Sequence, residues 1–170
     1  KNDSALCSIY NGMGLYASNI HRDYYSALHY FFEGIEATHR CQYQELEAIL
    51  LGNISSIYYL KDDPTGLTYS LQIYELGHQL NSAYLIFIRA LNASYMYYLL
   101  HEYDKALPYI QEAEFIMKQN EYYNQGNVYA IYGMIEFAKG NREQAVEYYK
   151  KGLSLNDINQ TSYKVLLLNE

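Results

Sequence analysis

A short signature returns four times along the chain at an almost constant interval. Asp23-Tyr24-Tyr25-Ser26-Ala27-Leu28 aligns with Asp63-Pro64-Thr65-Gly66-Leu67-Thr68, then with Glu102-Tyr103-Asp104-Lys105-Ala106-Leu107, and finally with Asn141-Arg142-Glu143-Gln144-Ala145-Val146. The anchors Ala27, Leu67, Ala106 and Ala145 stand 40, 39 and 39 residues apart. A fixed period of this size means one supersecondary unit repeated, with each unit unable to bury its apolar face alone.

The surroundings of the anchors repeat as well. Four residues earlier stand Asp23, Asp63, Glu102 and Asn141, polar groups suited to a helix start. Pro64 follows Asp63 at a first helical position, where its missing N–H costs nothing. One turn after the anchors come Phe31, Leu71, Ile110 and Tyr149 on the same face. Twelve residues before them lie the small residues Ser55, Ser94 and Gly133, with Leu15 the exception in the first copy. Small groups there let two helices approach closely. The pattern predicts helices over about 4–20, 43–61, 82–100 and 121–139, with partners over 23–40, 64–80, 103–119 and 142–154. Connections this short force antiparallel pairs, and the pairs then stack. The expectation is an all-α solenoid in a single domain over 1–170, with units near 4–40, 41–80, 81–120 and 121–155. A new start at Asn156-Asp157, followed by Tyr163, Val165, Leu166 and Leu168, predicts a partial fifth unit over 156–170. Its ninth helix is cut short, as expected for a piece of a longer chain.

Tyrosine accounts for 23 of the 28 aromatic residues, and tryptophan is absent. A flat apolar body with a polar tip suits half-buried helix seams. The net charge of −7 and the lack of any Lys/Arg run beyond Lys150-Lys151 argue against nucleic acid as a partner. Cys7 and Cys41 are too few for a disulfide framework and form no CxxC pair, so they read as reduced, buried thiols of a cytoplasmic protein. No signal peptide or membrane span is expected, since no window carries about 18 unbroken apolar residues.

Residues 4–155 resemble the tetratricopeptide repeat family. The third copy carries the family pattern at Ala93, Ser94, Tyr97, Tyr103, Ala106, Ile110 and Ala113. The fourth carries it at Tyr132, Gly133, Gly140, Asn141, Ala145, Tyr149 and Gly152. The period exceeds the family's usual ~34 residues, so the helices here are longer. Leu67 and Tyr74 occupy places that are commonly small, and Tyr16 to Asp23 holds one residue more than the pattern. The resemblance implies a right-handed α-solenoid of about four hairpins that binds a protein or peptide in a concave groove. The long period is similar to regions of bacterial signalling proteins, either those preceding diguanylate cyclase (GGDEF) output domains or peptide-responsive regulators of the Rap and PlcR kind.

Family geometry puts the groove on the first helix of each pair, about 18, 15, 11 and 8 residues before each anchor. The implied wall holds Ile9, Gly12, Tyr16 and Asn19, then Ile49, Gly52, Ser56 and Tyr59. Next come Ile88, Leu91, Tyr95 and Tyr98, and finally Asn127, Ala130, Met134 and Phe137. Asn53 and Asn92, fourteen before their anchors, have amides able to pair with a ligand backbone or with a neighbouring helix. A carboxylate clamp of the co-chaperone type is not expected, because Gly12, Tyr16, Ile88 and Asn92 hold the matching places. His21, His29, His39, His78 and His101 lack metal-ligand spacing, and neither Cys41 near His39 nor Gly12-Met13-Gly14 completes a catalytic or phosphate-binding motif. The expected role is therefore a non-enzymatic binding module without cofactor or metal, serving as a sensory or docking region. Two alternatives are an oligomerisation scaffold, pairing chains through end helices, and a pheromone-binding domain of a transcriptional regulator.

Overall fold

The structure is a computed structural model describing residues 3–120 and 125–155. Eight helices follow one another: α1 (Asp3–Asn19), α2 (Tyr24–Cys41), α3 (Gln44–Leu60), α4 (Gly66–Gln79), α5 (Ala83–Leu99), α6 (Tyr103–Gln119), α7 (Gln125–Ala138) and α8 (Arg142–Leu155). No strand occurs among the described residues, so the fold is all-α. All eight expected helices are present, and the stretch proposed for a ninth, 156–170, lies outside the described residues. None of the eight is long and apolar enough to cross a membrane.

The helix ends have local causes. The Asp23 carboxylate accepts the Ser26 N–H at 3.1 Å and its hydroxyl at 2.6 Å, capping α2. These bonds hold the Asp23 carboxyl below its usual range. Asp63 behaves differently from its expected role. Its carboxylate accepts the Thr65 N–H at 2.9 Å inside the turn, and α4 begins only at Gly66. In each described connection one residue takes a left-handed conformation: Arg22, Gln42, Asp62, Asn81, His101 and Gly140. That geometry stops a helix by turning the chain away from its axis.

Each helix packs against the helices before and after it in sequence. The odd helices also meet each other, α1 with α3, α3 with α5 and α5 with α7. Among the described residues no pair of even helices meets to the same extent. Within the hairpins a small residue on the odd helix faces the residue one turn past the anchor on the even helix. A Cβ on Gly14 would lie 2.3 Å from the Phe31 ring, and one on Gly133 would lie 2.5 Å from that of Tyr149. In the second hairpin Ser55 and Ser70 occupy these two places and share a buried hydrogen bond of 2.7 Å.

These pairs correct the register read from sequence. The second anchor is the buried Gly66 rather than Leu67, and the buried series Gly66, Ser70, Ile73 and Gly77 replaces the one through Leu71 and Tyr74. In the first copy Gly14, not Leu15, is the small residue against α2. Gly14 precedes its anchor by 13 residues and Ser55 by 11, while Ser94 and Gly133 keep 12. The irregularities sit in the hairpin turns, where one residue more or less does not disturb the period.

The core forms two apolar clusters. Cys7, Phe31, Leu50, Ile54 and Ile73 belong to the first, and Phe87, Ala106, Ile110, Val128 and Ile135 to the second. Tyrosines fill the seams as expected. Tyr58 stacks on Tyr69 at 5.6 Å, Tyr97 on Tyr109 at 5.6 Å and Tyr132 on Tyr148 at 5.0 Å. The sulfurs of Cys7 and Cys41 lie 3.9 Å apart as free thiols, with Cys7 buried and Cys41 half-buried.

Candidate functional site on the odd-helix face

The wall residues expected from sequence divide into three groups. On α3, α5 and α7 the positions that reach solvent are Ile49, Ser56, Tyr59, Ile88, Tyr95, Tyr98, Asn127, Met134 and Phe137, exposed or half-buried. Ile49 and Phe137 are each 49% exposed. Tyr59 and Tyr95 bridge α3 and α5 with ring centres 4.6 Å apart, and Tyr98 lies 6.1 Å beyond Tyr95. The Tyr95 hydroxyl donates to the Asp62 carboxylate at 2.5 Å, which ties the row to the turn after α3. Burial pushes all three phenols above their usual range, and Asp62 adds to the shift at Tyr59 and Tyr95. They remain neutral, and each keeps part of its side chain open to solvent.

A second group lies beneath this surface. Gly52, Leu91 and Ala130 are buried. Asn92 is only 8% exposed and donates to the Ser55 hydroxyl at 3.4 Å, so it stands behind the wall. Asn53 donates to the Asn11 side-chain oxygen at 2.8 Å and is half-buried. Of the two alternatives open from sequence, both amides are engaged in the inter-helix bond, joining α1 to α3 and α3 to α5.

The third group is the first copy, which is displaced. With Gly14 as the residue against α2, the places equivalent to Gly52, Ser56 and Tyr59 are Asn11, Leu15 and Ser18. The extra turn residue rotates the expected set by about 100° around α1. Tyr16 accordingly lines a hollow of about 370 Å³ between α1 and α2, with Met13, Ser26 and Tyr30, and packs edge-on against His21 at 4.9 Å. Gly12 and Asn19 are exposed, but the same rotation takes both off the row formed by α3, α5 and α7.

One residue of this region escaped sequence reasoning. Arg89 on α5 reaches α3, where Nη1 donates to the Gly52 carbonyl oxygen at 3.3 Å. The same oxygen accepts the Ser56 hydroxyl at 2.7 Å. Arg89 Nε is enclosed and has no hydrogen-bond partner. The available signal was a column of the repeat: five residues before Ser55, Ser94 and Gly133 stand Leu50, Arg89 and Val128.

A second groove of about 440 Å³ opens between α2, α3 and α4, lined by Phe32, Leu51, Tyr69 and Leu76 among others. Among the described residues no three His, Cys, Asp or Glu side chains converge as metal ligands. No protein-family model matches the chain, and no curated protein matches it.

Proposed function

We propose that the chain is an α-solenoid of tetratricopeptide type whose odd-helix face binds a peptide or a segment of a partner protein. The observation that carries this is the row Tyr59, Tyr95 and Tyr98 on α3 and α5, with the half-exposed Ile49 and Phe137 also on odd helices. Tyrosine supplies large rigid contact area at low entropic cost and is enriched where binding energy concentrates. Contact between odd helices, without equal contact between even ones, supports curvature toward the odd side, which would make that face a groove. As in the bacterial regions it resembles, the module would act as the sensory or docking part of a larger signalling protein, such as a GGDEF diguanylate cyclase. Occupancy of the groove would then bias the arrangement of an output domain.

Random twelve-residue peptides displayed on phage provide a test. Selected peptides should lose binding to Ser56→Arg, which places a long cation on the face, and keep binding to Tyr25→Arg. Tyr25 is 87% exposed on α2 and serves as the control. Peptides indifferent to Ser56→Arg, or cross-linking to the groove between α2 and α4, would overturn the proposal.

A further inference from the structure

We infer that Arg89 receives the side-chain carboxylate of an aspartate or glutamate carried by the bound segment; the inference rests on the proposal that the odd-helix face binds a peptide. The first support is the repeat itself. The column holding Arg89 contains Leu50 and Val128 in the adjacent copies, both 0% exposed. Arg89 therefore occupies a place where the two adjacent copies use a buried aliphatic side chain. Packing alone gives no reason for a charge there, since burying one is costly unless it is paired.

The second support is the state of the guanidinium. It carries five N–H donors in a planar fork. Among the described residues Arg89 forms no ion pair, and its one hydrogen bond is the 3.3 Å contact to the Gly52 oxygen, which Ser56 shares. Nε is enclosed without a partner. Burial brings its pKa down to about 10, so the group stays cationic near neutrality. Gly52 completes the arrangement, because a Cβ there would lie 2.8 Å from Nη2. The absence of a side chain on α3 is what admits the guanidinium between the two helices.

Charge complementarity then selects the occupant. A carboxylate matches the fork geometry through two parallel hydrogen bonds and neutralises the charge of this half-buried side chain. Arg89 lies on the third of four odd helices, with α3 before it and α7 after it. A segment crossing the face passes Arg89 in mid-course, so the group presented is an acidic side chain rather than a chain end.

The test uses the full chain and its Arg89→Leu variant, which restores the aliphatic character of the column. The Nε–Hε signal of Arg89, assigned by its disappearance in the variant, is followed by NMR. N-acetyl-aspartate methylamide is titrated beside its neutral asparagine counterpart and beside N-acetylalanine, whose carboxylate is a chain end. The expected result is a saturable shift with the aspartate probe, none with the asparagine probe and a weaker one with N-acetylalanine. Phage-selected peptides that are blocked by Ser56→Arg should be enriched in Asp or Glu and lose about tenfold or more in affinity for Arg89→Leu. The variant should also melt at a higher temperature than the parent. A lower melting temperature would make Arg89 a structural residue, and a stronger response to N-acetylalanine would assign the site to a chain end. Either result overturns the inference, as does an aspartate probe without effect. Peptides blocked by Ser56→Arg but indifferent to Arg89→Leu would remove the carboxylate assignment and leave the peptide-binding face intact.

Discussion

The two halves of the molecule fill the same framework with different material. In α1–α4 the buried cluster is largely aliphatic, built on Leu46, Leu50, Leu51, Ile54, Ile57 and Ile73 around Phe31, with Tyr24, Tyr30, Tyr58 and Tyr69 packed against it but no tyrosine inside it. In α5–α8 the cluster includes buried Tyr129 and Tyr132, and Tyr95, Tyr97, Tyr98, Tyr103, Tyr109 and Tyr148 pack against it. Carboxylates collect the hydroxyls of this second half. Glu114 accepts from Tyr129 at 3.1 Å and from Tyr132 at 3.2 Å, while Glu112 on α6 accepts from Tyr74 across the boundary on α4. An aliphatic core must be enclosed to exclude water, whereas a tyrosine core can remain half open, because each ring carries its polar end to the rim. The boundary between the two is polar: Ser55, Ser70 and Asn92 are hydrogen-bonded within it, and Arg89 sits beside them.

Alkaline titration is the strongest way to break this comparison. The phenols of Tyr95, Tyr98, Tyr109, Tyr132 and Tyr149 in α5–α8 and of Tyr58, Tyr59 and Tyr74 in α1–α4 are raised above 10.0, mainly by burial, with Tyr149 pushed up to about 12. A pKa raised by folding contributes stability that is complete below the unfolded value and lost as pH rises through the folded one. Stability is therefore expected to begin falling above about pH 10, with α5–α8, which holds more of the raised phenols, opening before α1–α4. Tyrosinate absorbance followed together with residue-resolved hydrogen exchange would show the order, and simultaneous opening of both halves would refute it.

The next largest effect concerns the hairpin seams. Gly133→Val drives a side chain into the Tyr149 ring, and overpacking of this kind costs about 1–3 kcal/mol. Shortening Tyr149 to Leu in the same molecule should recover part of that loss in urea unfolding. The second hairpin should respond to polarity instead. Ser55→Ala leaves both Ser70 and Asn92 without their partner and is expected to cost about 1–2 kcal/mol. Ser70→Ala should cost less, since Ser55 keeps Asn92, and equal losses for the two variants would dismiss the network. The smallest effect is at acid pH. Folding lowers the Asp23 carboxyl, so its contribution is complete above its unfolded value of 3.8 and fades as pH falls through the lower folded value. Amide exchange at Ser26 should quicken there before the rest of α2 does.

Most of the fold was legible because helical hairpins repeat their apolar and small residues at a constant spacing. Ala106 and Ala145, with Ser94 and Gly133 twelve residues earlier, kept one register from sequence to structure. Gly14 and Gly66 were missed by one position each. A turn can gain or lose a residue without changing the period, yet each such change rotates the following helix by about 100° relative to its expected face. That rotation displaced Tyr16 and Asn19, while Tyr59, Tyr95 and Tyr98 stayed where the spacing put them. Asn92 was misplaced for a different reason. Spacing gives the face a residue occupies but not the depth to which a neighbouring helix covers it. Arg89 went unnoticed because attention fell on columns pointing outward, and its column is an inward one.

The turns carry a further consequence. Arg22, Gln42, Asp62, Asn81 and His101 adopt φ values between 51° and 59° without being glycine. Such a backbone costs a side-chain-bearing residue roughly 1–2 kcal/mol, and glycine's greater freedom when unfolded cancels only about 0.5–1 of that. Asn and Asp tolerate this backbone better, so the chain holds an unused reserve of robustness chiefly at Arg22, Gln42 and His101, none of them in the core. Arg22→Gly or His101→Gly would draw on it and toughen the scaffold for engineering, leaving the tyrosine row as it is.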